Sequence, residues 1–317
     1  MNVFVTGATG VLGRATLPLL VRDGHTVHAL ARSDANEALI RELGATPVRA
    51  DLFDSAAMRD AVRGHDAVLH LASKIPSSSK VGRRSAWREN DRIRTEGTRI
   101  LADAALDGGA SVFVYPSVTF LYPDCGDAWI DAAGTAPAPA WFLDSTLVAE
   151  AEVARFADGE SRRGVTLRMG PFYGPTSTQA RELLALARKG VGMVLGSPQA
   201  YEPLIWIADA AQAVVAAMLR APSGVYDIVD DEPLTRQELT AAIARAAGKR
   251  RLWRPPLWAV RLIAGDVARV NARSQRVSNR RFKAATGWAP AVPNGRVGWQ
   301  RLTAGRAVDA PGQALPV

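Results

Sequence analysis

One run in the sequence is built for phosphate chemistry: Thr6-Gly7-Ala8-Thr9-Gly10-Val11-Leu12-Gly13, with its glycines at a Gly-x-x-Gly-x-x-Gly spacing. It lies between a β-rich stretch and a helix-patterned one, the context in which such a loop holds a dinucleotide. Gly7 allows a sharp turn, Gly10 lets the backbone approach a pyrophosphate, and Gly13 permits close strand–helix packing. The free N–H groups and positive dipole end of the helix then face the phosphates. Thr9, Val11 and Leu12 belong to the same cradle, and Arg14 follows it. An NAD site usually has Asp or Glu at the end of the second strand, for the ribose 2′-hydroxyl. Here Ala31 is followed by Arg32, and no carboxylate occurs before Asp34. Two guanidiniums and no acid suit a 2′-phosphate, so NADP is favoured and NAD stays open. The plain alternative for Arg32 is an exposed loop cation.

Other chemistries find less support. Cys125 is the single cysteine, which excludes an internal disulfide and a cysteine-rich zinc site. His25, His28, His65 and His70 have no ligand spacing, so no metal is expected. The net charge of +8 is concentrated late: between Lys249 and Arg306 stand fourteen Lys or Arg residues and one acid, Asp266. Such a lobe either attracts an anionic small-molecule substrate or is a solvated arginine-rich surface. Trp253, Trp258 and Phe282 sit among these cations without a recognised nucleic-acid motif, so nucleic acid is not expected. No apolar run approaches the roughly 20 residues of a membrane span. No leader pattern is read at the start, and cytoplasmic location is the expectation.

The elements that position the loop alternate from the first residue. Strands are expected over residues 2–6, 26–31, 47–50, 67–71, 111–116 and 165–169. Helices are expected over 14–23, 36–43, 55–62, 87–108 and 145–156. Strands separated by helices imply parallel crossover units, hence an α/β, doubly wound Rossmann sheet. Beyond Pro171 the pattern loosens into helices at 179–189, 208–219 and 235–247 and a strand at 225–229. The expected organisation is a dinucleotide-binding domain over 1–175, a smaller substrate lobe over 176–302 with interleaved segments, and a mobile tail over 303–317.

Taken together, these motifs resemble the extended short-chain dehydrogenase/reductases, the NAD(P)-dependent epimerase/dehydratase group, over roughly residues 1–295. The loop resembles that family's phosphate loop, and Asp51-Leu52 its adenine-contacting acidic pair. His70-Leu71-Ala72, followed by Ser73, resembles the strand end beneath the cofactor. Arg168-Met169-Gly170-Pro171-Phe172-Tyr173-Gly174-Pro175 is similar to the segment facing nicotinamide and substrate, which places Pro171 and Phe172 at the cofactor. Asp209 and Gly287-Trp288-Ala289-Pro290 fit further landmarks.

The resemblance implies a catalytic Ser/Thr with a Tyr-x-x-x-Lys helix, in which the lysine lies one turn from the tyrosine and lowers its pKa. This chain departs from that pattern. If Glu150 is aligned with the glutamate that follows the lysine by four, Thr146 takes the lysine's place and Phe142 the tyrosine's. The Ser/Thr place falls on Val118, flanked by Ser117 and Thr119, and Arg94 stands where a helix asparagine is common. Three readings follow. In the first, an NAD(P)-binding enzyme acts on a small carbonyl, hydroxyl or nucleotide-sugar-like substrate with relocated acid–base groups. Its candidates are Ser117, Thr119, Tyr122, Lys74 and Tyr173. Lys74 reads equally as an exposed loop lysine, Ser117 and Thr119 as strand-end packing, and the two tyrosines as pocket walls. The second reading is a non-redox isomerase, lyase or cyclase, for which Phe142 shapes an apolar pocket. The third is a dinucleotide-sensing or partner-binding protein without turnover. Many relatives also pair two long helices, so the resemblance implies a possible homodimer through 87–108 and 145–156. The substrate-lobe walls expected are 179–189, 198–205 and 254–272.

Overall fold

The computed structural model describes residues 1–77, 80–159 and 161–303, apart from the side chains of 257 and 259–264. The tail expected beyond 303, and Ser78 and Ser79, lie outside the described residues. Seven strands form the central sheet: β1 (Asn2–Thr6), β2 (Thr26–Ala31), β3 (Thr46–Arg49), β4 (Ala67–His70), β5 (Val112–Val118), β6 (Arg163–Met169) and β7 (Gly224–Ile228). Their order is 3-2-1-4-5-6-7, all parallel. Parallel strands are covered on both faces, which explains why β1 and β4 read as apolar runs without polar alternation.

The two-residue period of each strand sorts its side chains into two cores. Val3, Val5, Ala29, Leu69, Val114 and Val165 face helices α1 (Val11–Arg22), α2 (Asp34–Glu42) and, later in the chain, Ile207–Arg220. Phe4, Val68, Phe113 and Tyr115 face α3 (Ser55–Val62), and behind it a long helical rod. That rod was expected as one helix over 87–108. It starts three residues earlier and runs as α4 (Arg84–Arg92), a π-helical turn over Ile93–Gly97, and α5 (Thr98–Asp107). α6 (Asp144–Phe156) completes this layer. The remaining helices are α7 (Thr178–Arg188), α8 (Ile207–Arg220), α9 (Arg236–Ala246), α10 (Leu257–Asn271), α11 (Arg280–Thr286) and α12 (Gly295–Thr303).

The late strand, expected at 225–229, joins the main sheet as β7, paired with β6 from Gly224↔Val165 to Ile228↔Met169. α8 is alanine-rich and packs closely on α1 and the sheet. The late helices α11 and α12, each anchored by a buried aromatic (Phe282 and Trp299), were not read from the sequence. α7, α9 and α12 gather a satellite core around Ala180, Leu239, Ile243 and Trp299, against Tyr173. No described helix is long and apolar enough to cross a membrane.

Candidate functional site

The phosphate loop leaves β1 through Gly7, at φ +73°, a conformation that disfavours a side chain. A Cβ there would lie 2.4 Å from the Leu71 carbonyl carbon, and one on Gly13 would lie 2.3 Å from the Gly7 oxygen. Both glycines therefore weld the loop to the end of β4 and to its own first turn. Gly10 is the N-cap of α1, has no side chain to accept the helix's first N–H groups, and no acid stands in the first turn. Gly10 and Val11 are exposed and Thr9 half-buried, while Leu12 and Gly13 are buried. An exposed helix start without its own cap or counter-charge fits a pyrophosphate.

Around this loop, Arg14 is exposed, and the exposed Arg32 has its Nη1 3.7 Å from Glu89. Ala31 is fully buried. Asp51 is exposed and accepts the Phe53 N–H at 3.0 Å, next to buried Leu52. Leu71 is buried, Ala72 half-buried, and Ser73 and Lys74 are exposed. The Lys74 N–H donates to the Asn90 Oδ1 at 3.1 Å. Pro171 and Phe172 are half-buried, next to Gly170, where a Cβ would meet the Pro203 oxygen at 2.1 Å.

The polar candidates near the end of β5 face inward. Ser117 donates to Glu150 on α6. Glu150 in turn holds Arg168 of β6 in a two-pronged pair, Nε to Oε1 at 3.0 Å and Nη2 to Oε2 at 2.8 Å. The Arg168 guanidinium lies 5.0 Å from the centre of the Tyr122 ring. Tyr122 donates to Asp227 Oδ1 at 2.6 Å, and the Ala132 N–H donates to the other oxygen at 2.7 Å. Burial alone would lower Arg168, but Glu150 holds its pKa above the usual value. Burial, and then the Asp227 charge, raise Tyr122. Burial pushes Asp227 up to about 7 despite its hydrogen bonds. Tyr173 donates to Asp230 at 2.8 Å and is raised by burial and that carboxyl. Thr119 is wholly buried. Ser117, Tyr122 and Tyr173 are thus committed to carboxylates inside the protein.

The three residues that reasoning from the sequence sets against the family's catalytic groups are apolar or re-paired. Val118 is half-buried. Phe142 packs into an aromatic cluster, 5.0 Å from Trp87 and 5.5 Å from Trp141, ring centre to ring centre. Thr146 is buried and accepts a hydrogen bond from Arg94 Nη1 on the π-helical turn. His70, at the end of β4, contacts Thr6 Oγ1 through Nδ1 at 2.7 Å, and burial lowers it to about 4. That keeps it neutral at physiological pH.

Two internal pairs, Glu150–Arg168 and Arg94–Thr146, were missed by reasoning from the sequence. The signal for the first was present: an arginine inside the apolar strand Arg163–Met169 needs a buried carboxylate. Several of the late cations help to hold the fold. Arg254 donates to the Val194 and Gly196 carbonyls, Arg273 to those of Phe120 and Tyr122, and Lys283 pairs with Asp231. Asp209 accepts the Ala291 and Val292 N–H groups at 2.9 Å, and its carbonyl accepts from Trp288. Two sequence landmarks therefore hold each other in place.

Comparison with known proteins agrees with this architecture. The 3-diazoavenalumate denitrifying reductase of a Streptomyces species is 31% identical over 320 residues, covering 95% of this chain and all of the relative. A human epimerase family protein solved with NADPH superposes with a TM-score of 0.82 at 24% identity, covering 96% and 99% of the two chains. The UDP-glucose 4-epimerase of Thermotoga maritima, solved with UDP-glucose, gives 0.77 at 19% identity, covering 96% and 97%. The profile of the NAD dependent epimerase/dehydratase family matches residues 3–228, from β1 through β7. With the 3-2-1-4-5-6-7 sheet and the glycine loop in its expected place, the chain belongs to the NAD dependent epimerase/dehydratase family.

Proposed function

We propose that this protein is an NADP-preferring reductase whose substrate accepts hydride without a proton from the protein. The observation that carries this reading is Phe142, locked between Trp87 and Trp141 where the family has its tyrosine. Phenylalanine cannot donate a proton, and the neighbouring hydroxyls of Ser117 and Tyr122 are tied to Glu150 and Asp227. Loss of a general acid costs about 10²- to 10⁴-fold where the reaction needs one. A carbonyl substrate needs one, because hydride addition leaves an alkoxide.

A cationic nitrogen electrophile does not. An arenediazonium that takes hydride at its terminal nitrogen becomes a neutral diazene. It then loses dinitrogen, and its hydrogen remains on the arene. The charge balances with no protein acid. The name of the 31%-identical Streptomyces relative, a denitrifying reductase of a diazo compound, supports the same substrate class here. The bound dinucleotide supplies the hydride.

The chain's own residues supply the rest. The N–H groups at the uncapped start of α1 hold the pyrophosphate. Arg32 and Arg14 receive the 2′-phosphate, since Ala31 offers no carboxylate to a 2′-hydroxyl. Asp51 and Leu52 would meet the adenine, and Leu71, Ala72, Ser73, Pro171 and Phe172 the nicotinamide end. Trp87, Trp141 and Phe142 cluster with Leu121, Leu143 and Val270, an apolar surround that would suit a flat aromatic substrate.

The test is loss of the reduced-nicotinamide absorbance with purified protein, NADPH or NADH, and two substrate panels, arenediazonium salts and ketones, each against an enzyme-free control. Consumption with the diazonium panel, faster with NADPH, is the expected result. Conversion with the band unchanged favours the isomerase, lyase or cyclase reading. Dinucleotide binding with no conversion on either panel favours a sensing protein.

A further inference from the structure

The lysine's place on α6 is taken by Thr146, yet a cation still reaches that spot from the neighbouring helix. Arg94 donates from Nη1 to the Thr146 hydroxyl, and both residues are buried. Arg94 sits in the π-helical turn Ile93–Gly97, between the regular helices α4 and α5. Such a turn inserts an extra residue and re-aims the side chains around it, and π-bulges gather at functional sites. The guanidinium is also under-used by the protein: its Nε is buried with no hydrogen-bond partner among the described residues. A buried cation with a spare donor needs a reason, because an unpaired buried charge costs several kcal/mol in the general case. The other cation of this layer, Arg168, has its reason in the Glu150 carboxylate, whereas no carboxylate is paired with Arg94 among the described residues.

The surroundings match a group that serves the site rather than the core. Tyr115 of β5, whose hydroxyl is buried and without a partner among the described residues, is raised by burial, and His70 at the end of β4 is lowered by burial; the Arg94 charge pulls both downward. His70 is neutral and so offers no repulsion. Arg94 therefore lies near His70 of β4 and Tyr115 of β5, hydrogen-bonded to Thr146 of α6.

We propose that Arg94, seated by the Thr146 hydroxyl, is the cationic group this site presents to the ribose hydroxyls at the nicotinamide end of the dinucleotide. The charge has moved from one helix to its neighbour, and Thr146 has become its seat. The inference rests on the dinucleotide reading given above and is separable from it.

The experiment measures binding without turnover, using NADPH and 2′,5′-ADP as probes, with the melting temperature of each ligand-free variant recorded in parallel. 2′,5′-ADP lacks the nicotinamide riboside half, so it reports only the phosphate and adenine end. Arg94→Asn should weaken NADPH about tenfold, the scale of one charge-assisted hydrogen bond, and leave 2′,5′-ADP unchanged. Arg94→Lys should recover part of that loss. Thr146→Lys alone sets two cations side by side and should lower the melting temperature. Combined with Arg94→Asn, it should restore both the melting temperature and NADPH binding. Equal loss for both probes, no loss for NADPH, or a double variant no better than Arg94→Asn would overturn the proposal. A parent protein that binds neither probe would instead overturn the dinucleotide site on which it rests.

Discussion

The two halves of the site, the phosphate cradle and the acid–base end, are written in different materials. The cradle is backbone: Gly7 and Gly13 have no room for a Cβ, and Gly10 leaves the start of α1 uncapped. The acid–base end is side chains, and the residues we propose in the family's places there are Val118, Phe142 and Thr146. A backbone site tolerates little change, because each substitution collides with main chain that cannot move aside. A side-chain site can be emptied and refilled while the helices beneath it stay packed. The fold thus fixes what the protein holds, and leaves the reaction free to change.

Breaking this contrast gives graded predictions. The largest effect should come from the pair beneath the changed end. Glu150→Ala strands Arg168 in the interior and should cost about 3–5 kcal/mol in chemical denaturation, whereas replacing both residues by methionine should cost much less. Gly13→Val drives a side chain into the Gly7 oxygen, which lies 2.3 Å from the Cβ position. It should cost about 1–3 kcal/mol and abolish binding of 2′,5′-ADP, measured by calorimetry. Arg32→Ala should weaken NADPH about tenfold and leave NADH unchanged, which sharpens the cradle's side of the comparison. Equal weakening of both would remove Arg32 from the 2′-phosphate.

The smallest effect is a slope. Asp227 has its carboxyl raised from 3.8 to about 7 by burial, so between those values the folded state binds more protons than the unfolded chain. Its contribution to stability is fully present below pH 3.8 and is lost as pH rises toward 7. Relative to Asp227→Asn, the parent protein should therefore lose stability with rising pH across that window, by less than about 1.4 kcal/mol per pH unit. Parallel pH profiles for the two would contradict this.

Legibility in the sequence followed the same division. The glycine spacing and the alternating strands gave the sheet through β6, because turn chemistry and buried apolar runs are local signals. The strand at 225–229 was visible, but its membership of the sheet as β7 was not, since that depends on a partner more than fifty residues away. The π turn inside the rod was hidden because Arg92-Ile93-Arg94-Thr95 has no proline or glycine pair to mark it. The hydroxyls of Ser117 and Tyr122 looked available because only tertiary structure reveals Glu150 and Asp227 as their partners. The roles of Arg254 and Arg273 in the basic lobe were hidden for the same reason: the carbonyls they hold are invisible in sequence.

The most direct test of the central claim, reduction without a protein acid in the tyrosine's place, compares the parent protein with Phe142→Tyr and with Phe142→Tyr plus Thr146→Lys. The measurement is kcat/KM for NADPH oxidation by an arenediazonium and by a ketone, from neutral to mildly alkaline pH. The account predicts diazonium reduction by the parent with a flat pH profile, and no gain from either variant on that substrate. A parent protein that reduces the ketone efficiently, with a rate that falls as an acid titrates, would contradict it.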